Sequence, residues 1–458
     1  MASRENRRAG KRQVALFGTF DTDNFGDCLF LLIVKQQLFK RLENVELLLF
    51  SPTSKTAKIA DYPVVHGFDR VGNIFGAMLP AFVIAGGALL STEHVLFSYP
   101  EVRLTYPYSL KCWLLPAMIA SLWNCPLVLN GVGLGPFNPD YSDLAAKYLN
   151  RATVCGVRDG VTQEFLNNAG VKSEIVPDCG ILVPHLATGS EWEDRYNALR
   201  TEFGLPEKYT VVQASLYLES QLEVFAERTA EAVQQTGLPA VLVPICHHLN
   251  DRVASRLMRR VFHRKGVRTI LIDRILSTLE TSAMLSRASL FVGTSLHGAL
   301  VTLAFRKPVV SFSLSKMKKN LAVLTVLGAE DCVVNEPSQL PAKIHAMLNA
   351  SVVQCTAGLD KARTDLAVFF DRITEVIWSQ SGRPLKQPLT VRMSSGEVLC
   401  DAIGEDLDRV KMLCTEYRKS IPLVRRCGAV LVRNNRSLSE WYDRISHWMA
   451  VRRAIERQ

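Results

Sequence analysis

Short apolar runs, each closed by a Gly-rich or polar corner and followed by a helix-period segment, recur along most of this chain. Val14–Phe17, Val45–Phe50, Ala81–Ala85, Pro126–Asn130 and Thr153–Val157 form a first series. Tyr209–Ser215, Ala240–Ile245, Thr269–Asp273, Ser289–Gly293 and Pro308–Phe312 form a second. Apolar runs this short, without strict alternation, read as strands buried on both faces. The helical periods between them supply the covering layers, so each series predicts a parallel α/β sheet. A charged stretch over 191–208 interrupts the pattern before it restarts. The expectation is two similar α/β domains, over 13–190 and 205–382, facing one cleft. Open sheets of this kind hold ligands beyond the carboxyl ends of their strands.

Length and charge agree with that plan. At 458 residues the chain is too long for one core. Its net charge of +10 resides in its flanks, with +4 over residues 1–12 and +6 over 383–458. The body between them carries 34 basic and 34 acidic residues. A neutral body does not suit a nucleic-acid groove. No two of the eleven cysteines stand three apart, so zinc and CxxC redox spacings are absent. Scattered cysteines in apolar runs suit reduced, buried thiols and a cytoplasmic protein. The start, MASRENRRAGKR, has no apolar segment of the signal-peptide kind behind it. The most apolar stretch, Trp113–Trp123, is interrupted by Pro116 and is too short for a membrane span of ~20 residues. It reads as a buried helix.

The dozen residues at the start read as a flexible basic tail. Residues 383–458 read as a mostly helical basic extension. Ile403, Leu407, Val410, Leu413, Cys414 and Tyr417 recur at helical steps, and Ser437 to Glu440 forms a capping box before a second stripe through Trp441 and Trp448. That stripe is expected either to pack on protein, in this chain or in a homo-oligomer, or to meet anionic lipid as a peripheral anchor.

Five corners carry polar chemistry. Gly18 to Asp27 joins a strand to a helix, with Asn24 or Asp27 as cap and Gly26 between them. The loop lacks the spacing of a dinucleotide or phosphate loop. Gly131 to Pro136 places glycines at alternate positions, Gly133 among them, where backbone can approach a ligand. Arg158 closes a strand and offers a planar fork for a carboxylate or phosphate, or pairs with Asp159 or Asp178. Ser295-Leu296-His297-Gly298 opens a helix at a carboxyl strand end, a placement that suits an acid–base histidine. Lys316, Lys318 and Lys319 gather near a helix start, where cations are unfavourable unless an anion joins them. Cys246, His247, His248 and Asp251 lack the spacing of a metal site.

In order, these corners resemble the polysaccharide pyruvyl transferase family. The resemblance rests on Asn24-Phe25-Gly26-Asp27, Gly86-Gly87, Gly131 to Pro136, Val157-Arg158-Asp159, Val176-Pro177-Asp178, Leu296-His297-Gly298, Lys307-Pro308 and Lys316 before Leu327-Gly328. It spans about residues 13–335, and the ordered set is what is specific. The resemblance implies two Rossmann-like domains in the GT-B-like arrangement. It implies phosphoenolpyruvate as donor, a glycan hydroxyl pair as acceptor, a cyclic ketal as product, and no metal or organic cofactor. Carried onto this chain, it puts His297 and Asp27 in acid–base roles. Arg158, Lys316, Ser295 and Gly298 fall on the donor side, and Asn24, Gly26, Gly87 and Gly133 on the acceptor side. The acceptor would be a cell-surface polysaccharide or its lipid-linked precursor, reached at the inner face of the membrane. One departure stands out. The family often has Arg two residues before the histidine, and this chain has Ser295. Either another cation compensates, such as Arg306 or Lys318, or the donor differs. The alternatives are a GT-B-type glycosyltransferase using a nucleotide sugar and a non-catalytic glycan-binding or scaffold protein.

Overall fold

The computed structural model describes residues 11–62, 65–71, 80–92, 108–218, 221–314, 319–349 and 358–381. Lys316 and the extension 383–458 lie outside the described residues. The first sheet comprises β1 (Arg12–Phe17), β2 (Val45–Ser51), β3 (His66–Gly67), β4 (Ala81–Ile84), β5 (Gly87–Leu90), β6 (Leu127–Leu134), β7 (Val154–Val157) and β8 (Glu174–Ile175). The second comprises β9 (Thr210–Gln213), β10 (Ala240–Leu242), β11 (Thr269–Leu271), β12 (Leu290–Gly293), β13 (Val309–Phe312) and β14 (Val333–Val334). The helices are α1 (Phe25–Arg41), α2 (Tyr108–Trp123), α3 (Ser142–Leu149), α4 (Gly160–Asn168), α5 (Gly189–Phe203) and α6 (Gln221–Thr236). After them come α7 (Asp251–Arg264), α8 (Thr278–Ser286), α9 (Leu296–Ala304), α10 (Lys319–Val326), α11 (Leu340–Asn349) and α12 (Leu359–Gln380).

The first sheet runs β3-β2-β1-β4-β6-β7-β8, with β5 also on β6, and the second runs β11-β10-β9-β12-β13-β14. Every pairing in both is parallel. Each sheet starts in its middle, winds outward one way, returns and winds the other. That is the doubly wound order of a Rossmann-like domain, and the fold is two such domains facing each other. In such sheets the ligand crevice opens where the order reverses. Here that means between β1 and β4, and between β9 and β12.

Successive residues of β1 show why the strands are apolar throughout. Val14 and Leu16 join the core on one face, while Ala15 and Phe17 join the core on the other. The α2 helix covers the second face, with Trp113 fully buried and its indole N–H donating to the Ser91 carbonyl at 3.1 Å. Among the described residues no helix is long and apolar enough to cross a membrane.

The first face's core continues without a break into the second domain. A 3-10 segment, Cys179–Leu186, packs against both α1 and α9 at this junction. Polar contacts fix its register. The Phe25 and His247 amides donate across the cleft to Ile245 and Asp23 carbonyls at 3.4 and 3.0 Å, and Asn24 bridges Cys246. Farther out, the Thr278 amide and hydroxyl both donate to the Ile59 carbonyl, and the Leu279 amide donates to Asp61.

Three local expectations change. The charged interruption over 191–208 is mostly helix: α5 has a complete capping box from Thr188 to Glu191, and buries Trp192, Tyr196 and Leu199. The glycines over 131–134 form no corner. They lie inside β6, where a register shift between Leu129 and Val132 absorbs the positive φ of Gly131 as a bulge. Arg12, counted with the basic tail, begins β1.

The last described helix, α12, belongs by sequence to the second series and by packing to the first sheet. Arg41 bonds Asp371 at 2.6 Å, Arg372 pairs with Glu174, and Arg12 bonds the Ser381 carbonyl at 2.6 Å. Phe369 is 3% exposed, and the adjacent Val368 is 65% exposed. Phe369→Ala should therefore cost about 3–5 kcal/mol, and Val368→Ala about nothing. Urea unfolding of the two variants checks this, and equal losses would mean that α12 does not dock on the first sheet.

Candidate functional site

The reversal points of the two sheets open onto one cavity of about 250 Å³ between the domains. From the second domain, β9 ends at Gln213 and β12 runs into Thr294, Ser295 and α9. Gln213 Oε1 accepts from the Thr294 and Ser295 amides at 3.0 and 2.8 Å, which fixes the turn. Ser295 Oγ then caps α9 by accepting from the Gly298 amide at 3.1 Å. His297, the second residue of α9, lies on the cavity wall, packed edge-on against the Phe30 ring at 5.0 Å. Its Nε2 lies 3.7 Å from Asp178 Oδ2.

From the first domain, β1 runs into the loop that Asn24 caps, its side chain accepting from the Gly26 amide at 3.1 Å. Asp27, in the first turn of α1, lines the cavity and accepts from the Thr19 hydroxyl at 2.6 Å. At the end of β7, Arg158 is almost fully buried and also lines the cavity. It lies 3.8 Å from Asp159 and 3.6 Å from Asp178, beyond hydrogen-bond distance, and its Nε has no hydrogen-bond partner among the described residues. Asp159 is committed elsewhere, capping α4 through the Thr162 amide and hydroxyl at 2.8 and 2.7 Å. Neither aspartate is among the residues lining the cavity. Both stand behind Arg158 as counter-charge.

Asp178 is wholly buried. Burial alone would raise its pKa, but His297, Arg158 and the Gly180 amide outweigh that and hold the carboxyl below its ordinary value. It is the ionised partner of both groups, one from each domain.

Lys319, the first residue of α10, completes the cavity. Burial, and then the charge of Arg158, pull its amine below the ordinary lysine value. It makes no ion pair within 4.0 Å among the described residues. The cavity therefore holds two desolvated cations whose donors are not used up by carboxylates. Asp27 stands on the first-domain wall.

The expected residues divide into three groups. His297, Asp27, Arg158, Ser295, Asn24 and Gly87 all line the cavity. Gly26, Gly133 and Gly298 stand beneath other groups instead. A Cβ on Gly26 would fall 1.9 Å from His297 Nδ1, and one on Gly133 would fall 2.3 Å from Arg158 Nε. These two glycines make room for the His297 and Arg158 side chains. Gly298 abuts Phe291 and Ile245. Lys316 lies outside the described residues, as does Lys318. Arg306 does not reach the cavity, because it is spread over both oxygens of Asp360 at 2.7 and 2.8 Å.

Sequence reasoning passed over Lys319 as a site residue, and Gln213 entirely. Polar Gln213 closing an otherwise apolar strand was the available signal. Asp251, weighed only as a metal ligand, is a buried acceptor. Its Oδ2 takes the Ile245 and Cys246 amides at 3.1 and 2.8 Å and the Gln213 amide group at 2.7 Å. Burial, only partly offset by these donors, pushes its pKa up to about 6.

Two outcomes follow. Gly26→Ala suits a helix but displaces the His297 ring, so catalytic turnover or ligand affinity should fall at least tenfold with little loss of thermal stability. Kinetics or calorimetry beside a melting curve checks this. For Asp251 the folded pKa lies above the unfolded one, so its contribution is fully present below about pH 4 and is lost as pH rises through 6. The shift corresponds to about 3 kcal/mol. Asp251→Asn should remove that loss, so its stability relative to wild type should climb between pH 4 and 7. Melting curves across that range read it.

The amylovoran biosynthesis protein AmsJ of Erwinia amylovora is 22% identical over 249 residues, which cover 51% of this chain and 59% of AmsJ. The chain thus spans somewhat over half of that relative. Among solved structures, the UDP-GlcNAc 2-epimerase of Methanocaldococcus jannaschii is similar in shape, at 11% identity and a TM-score of 0.49, over 77% of this chain and 99% of that one. Anabaena Alr3699/HepE, solved in complex with UDP and glucose, is 13% identical with a TM-score of 0.48, over 80% and 100%. The family described as polysaccharide pyruvyl transferase matches residues 24–316, the span from the Asn24 cap through His297. With that match over more than half its length, the chain belongs to the polysaccharide pyruvyl transferase family.

Proposed function

We propose that this protein transfers a pyruvyl group from phosphoenolpyruvate to two hydroxyls of a glycan, forming a cyclic ketal. The observation that carries the reading is the pair of desolvated cations, buried Arg158 and half-buried Lys319, beside His297 in one cavity. Phosphoenolpyruvate carries a carboxylate and a phosphate on the same carbon, and two convergent cations in a site of low dielectric suit such a polyanion. Arg158 offers a bidentate fork and Lys319 a point charge. Lys319 supports the reading at the point where Ser295 departs from the family, since it supplies a second cation from a different element.

In the reaction, His297 delivers a proton to the methylene carbon, and the central carbon becomes electrophilic. A glycan hydroxyl adds there, its proton passing to Asp27 on the first-domain wall. Phosphate then leaves with the electron pair of its C–O bond, and the second hydroxyl closes the ketal, its proton leaving with the phosphate. Asp178 orients His297 throughout, and Arg158 and Lys319 stabilise the departing phosphate. The acceptor would be a cell-surface polysaccharide or its lipid-linked precursor, met in the cytoplasm.

Calorimetric titration with phosphoenolpyruvate, beside UDP- and GDP-sugars, tests the reading. Saturable binding of phosphoenolpyruvate is expected, weakened at least tenfold in Arg158→Leu and in Lys319→Met. Binding of a nucleotide sugar with none of phosphoenolpyruvate would replace the reading with a glycosyltransferase. Once an acceptor is found, His297→Ala should abolish ketal formation while donor binding survives.

A further inference from the structure

Asp251 touches neither cation and is fully buried, yet both walls of the cavity converge on one of its oxygens. Along one branch, Oδ2 accepts from Gln213 Nε2 at 2.7 Å. That bond leaves Gln213 Oε1 aimed at the Thr294 amide, the Thr294 hydroxyl and the Ser295 amide, at 3.0, 3.2 and 2.8 Å. These groups form the turn from which α9 and His297 start. Along the other branch, the same oxygen accepts from the Ile245 and Cys246 amides at 3.1 and 2.8 Å. The loop so held is the one that meets the first domain: Ile245 accepts from Phe25, Cys246 bridges Asn24, and His247 donates to Asp23. Asp27 lies two residues beyond Phe25. Oδ1 is buried and has no hydrogen-bond partner among the described residues.

We infer that Asp251 is a positioning residue for both domains' contributions to the site, setting His297 through Gln213 and the Asn24–Asp27 loop through the 245–247 seam. All the ordering bonds fall on Oδ2. The unused Oδ1 can carry or lose a proton without breaking any of them. An oxygen acceptor at that point is therefore the requirement, and a negative charge is not. Asn supplies such an oxygen and Ala does not. The two branches separate at Asp251, so Gln213 serves only the first. The consequence for ligand binding rests on this cavity being the reacting site, but the positioning itself does not depend on the identity of the donor.

Hydrogen–deuterium exchange on the full chain tests this without any ligand. Asp251→Ala should speed exchange in two segments, Thr294–Gly298 and Asp23–Cys28, by tenfold or more, leaving β1, β4 and β6 at wild-type rates. Asp251→Asn should restore both. Gln213→Met should loosen Thr294–Gly298 alone. A uniform rise across the chain, a rise confined to 245–251, or equal loosening of both segments by Gln213→Met would overturn the inference. If Asp251→Ala fails to fold, the contrast between Gln213→Met and Asp251→Asn still decides it. Titration with phosphoenolpyruvate forms a separate arm. Where wild type binds, Asp251→Ala should weaken binding about tenfold or more and Asp251→Asn within about twofold. If wild type does not bind, the donor assignment fails, while the exchange result still judges the positioning.

Discussion

A carboxylate with no access to water, Asp178, stands between a guanidinium from one domain and an imidazole from the other, and the cavity is built around it. Removing such a charge from water costs several kcal/mol, and nearby cations and donors must offset this. Arg158, His297 and the Gly180 amide do so. The arrangement has a directional result. The aspartates lie behind Arg158 and the cavity lies in front, so the guanidinium is held in place from a side the ligand never meets. The distances of 3.6 to 3.8 Å leave its donors uncommitted. A tightly bonded salt bridge at the same position would have committed those donors.

Glycines shape the site from below. Gly26 lies against His297 and Gly133 against Arg158, each at a distance no Cβ could occupy. These contacts explain why Gly26 and Gly133 must be glycines although neither lines the cavity itself. They also tie the first domain to a histidine of the second, since Gly26 and His297 come from opposite sides of the cleft. The site is thus complete only when the domains are closed as seen here.

Most of this architecture was legible in the sequence, because central strands of a covered parallel sheet are apolar on both faces. The two-residue edge strands β3, β8 and β14 were not legible, since two residues make no pattern. Helix α5 escaped because its exposed face is highly charged, although Trp192, Tyr196 and Leu199 at helical spacing and the box at Thr188 were visible. The glycines of β6 read as a corner because a bulge and a turn draw on the same residue type. Within the site, His297, Arg158 and Asp27 could be found from their positions at strand ends. Sequence could not choose among the lysines near 316–319, because which of them turns inward depends on where α10 begins. Gln213 and Asp251 are 38 residues apart and meet only through the fold.

The path of α12 has a mechanical meaning. The backbone leaves the first domain before α5 and comes back to it along α12, whose first turn still bonds Arg306 and Ala304 of the second domain and whose later turns bond Arg41, Glu174 and Arg12 of the first, so two covalent tethers join the halves. A body held by two tethers cannot swivel freely or drift apart. Its softest remaining motion is rotation about the line through both crossings. Any widening of the cleft must therefore be a jaw-like rotation, with its travel set by the separation of the tethers from the cavity.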